Sequence, residues 1–502
     1  MKNSLHLLLM LLSLLVYTGC STPETKVETI SPESLGVSSR VILDFIEAAE
    51  KNRPDDLHSF ILMRHGKVAA QGWWSPYNPD SPHMLYSLSK SYTSTAIGIA
   101  QAEGLLSIDD QVISFFPDDT PENPSANLQS MRIRDLLRMN TGHNEDATGR
   151  MAQDNTNWVK AFLSLEVDHK PGTRFAYNSA ATFMLSAIIQ KVSGETLLEY
   201  LRPRLFEPLG IENPQWETAP GGINMGGWGL KVRTKDIANF GQLYLQKGMW
   251  QDKQLIPSQW VEEATKLQTS NGSNPDSDWD QGYGYQFWRC RHNLYRGDGA
   301  FGQYCIVFPE QDAVLAITSG TGDMGAIMNL VWEIILPGLK DSPLDENPEA
   351  FDALQSKLSS LSLSTVAGET TSSLAETISN QIYKIKPNAE GITEMRIDLS
   401  PGQESVIFAM NDTSVHIPFG YNNSKDGSTL RPSGESWPSA SSAAWISSDT
   451  MLLRSYLYET PYRYSYTFAF KGDGVSVKRE INLSMGPTAG LELIGTKKGT
   501  MP

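Results

Sequence analysis

The chain has 502 residues, of which 40% are hydrophobic and 20% charged, and a formal net charge of -16 at pH 7. That length exceeds one ordinary domain and the balance is globular, so two or more folded units are expected. An acidic surface repels phosphate backbones, which excludes nucleic acid as an expected partner, and the acidity reads as a solubility feature.

At the start of the chain, Lys2 precedes an almost wholly apolar run from Leu5 to Val16, followed by Tyr17-Thr18-Gly19-Cys20. A charged start, a short apolar stretch and small residues before a cut mark an export signal, here residues 1–19. The run is too short to cross a bilayer as a permanent helix. A cysteine straight after Thr-Gly resembles a bacterial lipobox, with Cys20 as the lipidated first residue of the mature chain. The expected location is the cell envelope, lipid-anchored and facing the periplasm or in the outer membrane, with secretion as the alternative. Membrane contact is expected only through that anchor. Residues 20–36 read as a polar tether.

Val41, Ile42, Phe45 and Ile46 share one helical face behind Ser38 or Ser39 as N-cap. A hairpin follows, with Ser59–Met63 as one strand, His65-Gly66 as the turn and Lys67–Trp73 as the return. Helices dominate from about 87 to 266. Strands return near 283–290, 294–298, 303–308 and 313–318, and a last helix spans about 324–336. This order predicts an α+β fold over 37–338, with an antiparallel sheet flanked by helices and an all-helical subdomain. Residues 339–378 are rich in Ser, Thr and acidic residues and read as a linker with a short helix at Phe351, Leu354, Leu358 and Leu361. From 379 to 502 the period becomes two. Tyr462, Tyr464, Tyr466, Phe468 and Phe470 alternate with small or polar residues, and Lys471-Gly472-Asp473-Gly474 turns the chain. A C-terminal antiparallel β-barrel or sandwich is expected there, with the aromatic stripe as its core.

Of the three cysteines, Cys290 and Cys305 remain beside Cys20. They lie in neighbouring predicted strands, and export permits a disulfide between them without requiring one. No Cys-x-x-Cys, His-Glu-x-x-His or clustered His/Cys spacing is present, so neither a metal nor a cofactor is expected.

Chemistry concentrates in Tyr86-Ser87-Leu88-Ser89-Lys90-Ser91-Tyr92. A helix from Ser87 aligns Leu88, Tyr92, Thr95, Ala96 and Ile99 on an apolar stripe, so Lys90 is buried with it. Residues three apart share a face, which sets the Lys90 amine beside the Ser87 hydroxyl. Burial disfavours the ammonium, and a neutral amine takes a serine proton. Ser-x-x-Lys alone is a short pattern that chance also supplies.

The wider context is more specific. Ile61-Leu62-Met63-Arg64-His65-Gly66-Lys67, the Ser87 motif, Glu103-Gly104-Leu105-Leu106-Ser107-Ile108-Asp109-Asp110, Arg134-Asp135-Leu136-Leu137 and Thr141-Gly142 occur in order. Residues 36–338 thereby resemble the β-lactamase and penicillin-binding-protein superfamily, especially its class C-related esterase and peptidase branch. The resemblance implies an acyl-enzyme on Ser87, with Lys90 and Tyr177 as proton-transfer groups. In the family's Tyr-x-Asn motif, Ser179 stands in the asparagine position and Asn178 one residue early. In the family's Lys-Thr-Gly or His-x-Gly motif, Gly299 matches the glycine, but Gly297 replaces the basic residue and Asp298 follows. The Ala300 N–H would complete an oxyanion hole with that of Ser87. Gly299, Ala300, Ser179, Asn178 and Asp298 are thus the expected oxyanion or substrate-binding residues, with Arg296 as a displaced positive charge or a solvated one. The C-terminal domain resembles lipocalin-like appendages of some family peptidases. The implied function is a serine hydrolase acting on small ester, amide or peptide substrates. Two alternatives stand beside it: a β-lactamase or D-Ala-D-Ala-type peptidase, and a non-catalytic binding or sensor protein on the same fold.

Overall fold

Apolar spacing forms helix α1 over Ser39–Asn52, where Ile42, Phe45 and Ile46 are fully buried and the Ser38 side chain accepts from the Arg40 N–H. This is seen in a computed structural model of the chain, which describes residues 30–410, 413–430, 436–486 and 490–499. The export signal and Cys20 lie outside the described residues. Strands β1 (Leu57–Arg64) and β2 (Lys67–Trp73) make the expected hairpin. His65 and Gly66 both take positive φ, 50° and 71°, as a tight two-residue turn requires.

Four later strands complete an antiparallel sheet: β3 (Trp288–Arg289), β4 (Tyr295–Gly299), β5 (Gln303–Phe308) and β6 (Ala313–Ser319). The order is β2-β1-β6-β5-β4-β3. Helices cover both faces, so β1 is buried along its whole length and reads as an unbroken apolar run. Alternation still sorts the side chains. Ile61 and Met63 join one core with α2 (Ser89–Ala102), α3 (Ser179–Ser193) and α4 (Thr234–Leu245), whereas Phe60 and Leu62 join a second core with α1. The same division explains the cysteines. Cys305 faces the first core and Cys290 the second, and both are free and buried.

Two elements differ from expectation. The strand expected over 283–290 shrinks to two residues, because α2 takes its backbone. Ser91 donates to the Gln286 carbonyl at 2.8 Å and Ser94 to that of Tyr285 at 2.7 Å, while Gln286 itself has φ 65°. The stretch 339–378 is docked along the first domain. Helix α5 (Pro348–Ser359) packs on α1 with Leu354 fully buried, and Leu361 and Leu363 enter the same core.

The C-terminal part is a ten-stranded antiparallel sheet curled into a nearly closed barrel. Its strands are β7 (Ile382–Ile385), β8 (Ile392–Asp398), β9 (Ser405–Met410), β10 (Ser414–Pro418), β11 (Lys425–Leu430), β12 (Ser436–Trp445), β13 (Thr450–Tyr456), β14 (Arg463–Lys471), β15 (Gly474–Ile481) and β16 (Leu491–Lys497). They run β10-β9-β8-β7-β16-β15-β14-β13-β12-β11, and the end strands β10 and β11 meet. Closure hides edges that would otherwise pair with other chains. Tyr464, Tyr466, Phe468 and Phe470 fill the interior, as the period-two pattern predicts. Tyr462, first in that aromatic run, lies in the β13–β14 turn, partly buried against the barrel core, and also meets Tyr86 of the first domain.

Candidate active site

Helix α2 is unusual in being both polar in sequence and buried on nearly every side. Its hydroxyls are the reason it tolerates burial. Besides the Ser91 and Ser94 bonds, Thr93 donates to the Gly226 carbonyl at 2.8 Å, and Ser89 accepts from the Leu230 N–H at 3.2 Å. Each such bond contributes about 1 kcal/mol net, and together they fix the two loops that flank the helix. Gly98 lets the Trp260 ring lie against the helix, since a Cβ there would sit 2.4 Å from it.

Ser87 lies two residues ahead of α2 in a 3-10 turn over Tyr86–Leu88 and is half-buried. Lys90, in the first turn of α2, is 1% exposed. Its Nζ lies 3.0 Å from Ser87 Oγ, 3.0 Å from Ser179 Oγ and 2.7 Å from the Gly227 carbonyl oxygen. Among the described residues, no carboxylate pairs with it. Burial therefore lowers the amine to about 7, while Asp146 and Asp298 pull weakly the other way. Of the three partners only the Gly227 carbonyl must accept. A neutral amine can donate to that carbonyl and to Ser179 while its lone pair faces the Ser87 hydroxyl.

Tyr177 completes the cluster. The Lys90 ammonium position is 4.9 Å from the centre of its ring, which stacks on Trp288 at 5.3 Å. Burial raises its phenol well above the ordinary range, and a hydrogen bond with Ser87 opposes that rise. Ser179 holds the first position of α3, with its backbone N–H on Asp146 Oδ1 at 3.1 Å.

On the other side of Ser87, strand β4 passes very close. A Cβ at Gly299 would stand 2.0 Å from the Leu85 carbonyl oxygen, so only glycine allows that approach. Ala300 follows it and is half-buried. Among the described residues, no acceptor takes the backbone N–H of Ser87 or of Ala300.

Two expected substrate-binding residues turn away. Asn178 is fully buried as the N-cap of α3, its Oδ1 accepting from Ala180 at 3.1 Å and Ala147 at 3.2 Å. Asp298 is spent on a buried ion pair. Its Oδ2 accepts from Arg296 Nε at 2.9 Å and Trp279 Nε1 at 3.1 Å, and lies 2.7 Å from a second Arg296 nitrogen. Arg296 is 0% exposed, so it is neither solvated nor a free cation for a substrate. Gly297 faces α2, where a Cβ would meet Leu88 Cδ1 at 2.3 Å and Ser91 Oγ at 2.9 Å. Packing leaves no room for a basic side chain there. Two participants escape sequence reasoning: the Gly227 carbonyl and Asp146. The Gly226-Gly227 pair is the one local sign of the first, because a Cβ at 227 would stand 2.9 Å from the Ser179 carbonyl oxygen.

A family model described as Beta-lactamase matches residues 55–330, over half of the chain. Among curated proteins, the chain is 24% identical over 295 residues to a 6-aminohexanoate-dimer hydrolase from Paenarthrobacter ureafaciens, covering 53% of this chain and 73% of that one. Among solved structures, a hydrolase with promiscuous acyltransferase activity superimposes with a TM-score of 0.50 at 16% identity, over 61% of this chain and 99% of that one. An octameric penicillin-binding protein homologue from Pyrococcus abyssi aligns over 91% of this chain and 99% of that one, with a TM-score of 0.49 and 16% identity.

Removing one partner of a buried ion pair strands the other. Asp298→Ala is expected to cost about 3–5 kcal/mol of unfolding free energy in a denaturant titration. A loss within about 0.5 kcal/mol, as at an exposed surface site, would return Asp298 to the cleft.

Proposed function

The chain belongs to the beta-lactamase family, and on that premise we propose that it is a serine hydrolase that cleaves small esters or amides through an acyl-enzyme on Ser87. The observation that carries this reading is the Lys90 amine, buried among neutral partners, with Nζ 3.0 Å from Ser87 Oγ. Ser87 Oγ attacks the acyl carbon while its proton passes to the neutral Lys90 amine. The oxygen that gains charge is received by the N–H groups of Ser87 and Ala300, each worth about 3 kcal/mol of barrier. Tyr177, hydrogen-bonded to Ser87, relays the proton to the departing alcohol or amine. Water then attacks the acyl-enzyme, Lys90 again takes a proton, and the acid leaves as Ser87 regains its hydrogen. One water is consumed per bond cleaved. The fall of the amine to about 7 supplies a base matched to neutral pH.

The substrate class follows from what the cleft lacks. Gly297 leaves no basic side chain where the family resemblance places one, and Arg296 is already neutralised by Asp298. We therefore favour substrates whose leaving side carries no recognition carboxylate over β-lactams and D-Ala-D-Ala peptides. The signal and lipobox motif extend the reading to a lipid-anchored enzyme of the cell envelope. Incorporation of a fatty-acid label that disappears in Cys20→Ser checks this, and equal labelling of both proteins rejects it.

At sub-saturating ester, the rate is expected to rise with pH as Lys90 loses its proton, with half of the rise complete near pH 7. Lys90→Met should lose that inflection and slow turnover by about 10²-fold or more. An unchanged profile in Lys90→Met would exclude Lys90 as the base. On purified protein, p-nitrophenyl esters should turn over faster than a cephalosporin, and the reverse order would overturn the assigned substrate class.

A further inference from the structure

Two residues beside Ser87 are held in a backbone region that side-chain-bearing residues seldom adopt. Tyr86, immediately before Ser87, has φ 49°, and Phe301, immediately after Ala300, has φ 65°. They bracket the two N–H groups assigned to the oxyanion hole. A strained conformation persists only where its surroundings hold it, and here the rings provide the hold. Tyr86 and Phe301 meet edge to face, with centroids 5.3 Å apart. Both also pack on Tyr462 of the barrel, at 6.5 Å and 5.9 Å, and the Tyr86 and Tyr462 hydroxyls hydrogen-bond. Tyr462 is backed in turn by Trp437, stacked at 6.3 Å.

The turn that carries Tyr462 is tied down independently. The Met84 N–H donates to the Glu459 carbonyl at 2.8 Å, Tyr77 donates to the Thr460 carbonyl at 2.8 Å, and Lys231 pairs with Glu459 at 3.3 Å. At its far end, Arg463 pairs with Asp55 at 2.9 Å. Backbone and side-chain bonds from the hydrolytic domain thus lock a barrel turn beside the nucleophile.

We propose that Tyr462 is a positioning residue: its ring and hydroxyl clamp Tyr86 and Phe301, and so hold the Ser87 and Ala300 N–H groups on one point. The barrel is then part of the hydrolytic site. This rests on the acyl-enzyme reading above. The contacts of Tyr462 among the described residues run to Tyr86, Phe301 and Trp437 rather than to Ser87 or Lys90, so its loss acts on the developing oxyanion rather than on ground-state binding or on Lys90.

The test compares wild type, Tyr462→Phe, Tyr462→Leu and Tyr462→Ala in the full chain, with p-nitrophenyl butyrate as substrate and phenylboronic acid as a tetrahedral analogue. Tyr462→Ala should lower kcat by about 100-fold, the order expected for misplaced catalytic groups, with KM within about twofold. Boronate affinity should fall in step with kcat/KM, and the pH inflection near 7 should stay. Tyr462→Phe loses only the hydroxyl bond and should fall by about fivefold. Tyr462→Leu keeps bulk against the barrel and should still lose boronate affinity, which guards against misfolding of the alanine variant. Loss of activity in proportion to active-site titre, with boronate affinity of the remaining enzyme unchanged, would make Tyr462 merely structural and overturn the proposal. So would variants with wild-type kcat. If wild type itself neither hydrolyses the ester nor binds the boronate, the acyl-enzyme reading fails, and this inference with it.

Discussion

An uncharged hydrogen-bond environment around one buried amine is the constraint on which the rest of the site depends. A lysine inside a protein keeps its proton if a carboxylate is in contact and sheds it if only neutral groups are. Lys90 has two hydroxyls and one carbonyl. The two acids that influence it most are each occupied elsewhere. Asp298 is neutralised by Arg296 and held by Trp279, and Asp146 binds the Ser179 N–H and the Thr148 hydroxyl at 2.6 Å. The buried Arg296–Asp298 pair therefore matters to the chemistry although neither member reaches the nucleophile. It stabilises the sheet beneath β4 and shields Lys90 from a bare carboxylate.

The same economy shapes the scaffold. A helix of serines and threonines is a poor candidate for a core, since each buried hydroxyl needs a partner. In α2 the partners of Ser91, Thr93 and Ser94 are carbonyls of the loops that deliver Gly227 and Gln286, so burying the helix and building the cleft are one process. The glycines follow from this closeness. Gly227, Gly297 and Gly299 each stand where a Cβ would strike a neighbour within 3 Å. The family's basic residue is absent at 297 for a steric reason: β4 lies too near Leu88 and Ser91 to carry one. Its absence and the tight seating of the strand share one steric cause.

Much of this was legible in the chain. Two strands about the His65-Gly66 turn marked the hairpin, period two marked the barrel, the Ser-x-x-Lys spacing marked the amine–hydroxyl contact, and apolar spacing buried Lys90. What escaped has physical reasons. The stretch 283–290 reads as a strand because its residues are apolar and aromatic, but its carbonyls are claimed by α2. Asn178 and Asp298 are polar residues beside the motifs, and sequence does not show that one is spent on a helix cap and the other on an ion pair. Arg296 reads as surface charge because a buried arginine depends on a partner two residues away across β4. Tyr462 continues an alternating stripe and so reads as core. Only the fold shows that its first ring, in the turn before β14, packs on the barrel core and also meets Tyr86 beside Ser87.

Covalent capture of the nucleophile tests the central claim most directly. The purified chain is treated with a fluorophosphonate and digested, and the modified peptide is sequenced by mass spectrometry at pH 6 and pH 8. A single adduct on Ser87, forming faster at pH 8 and absent from Ser87→Ala, is the result this account predicts. An adduct on another serine, or labelling of Ser87→Ala at the wild-type rate, would contradict it.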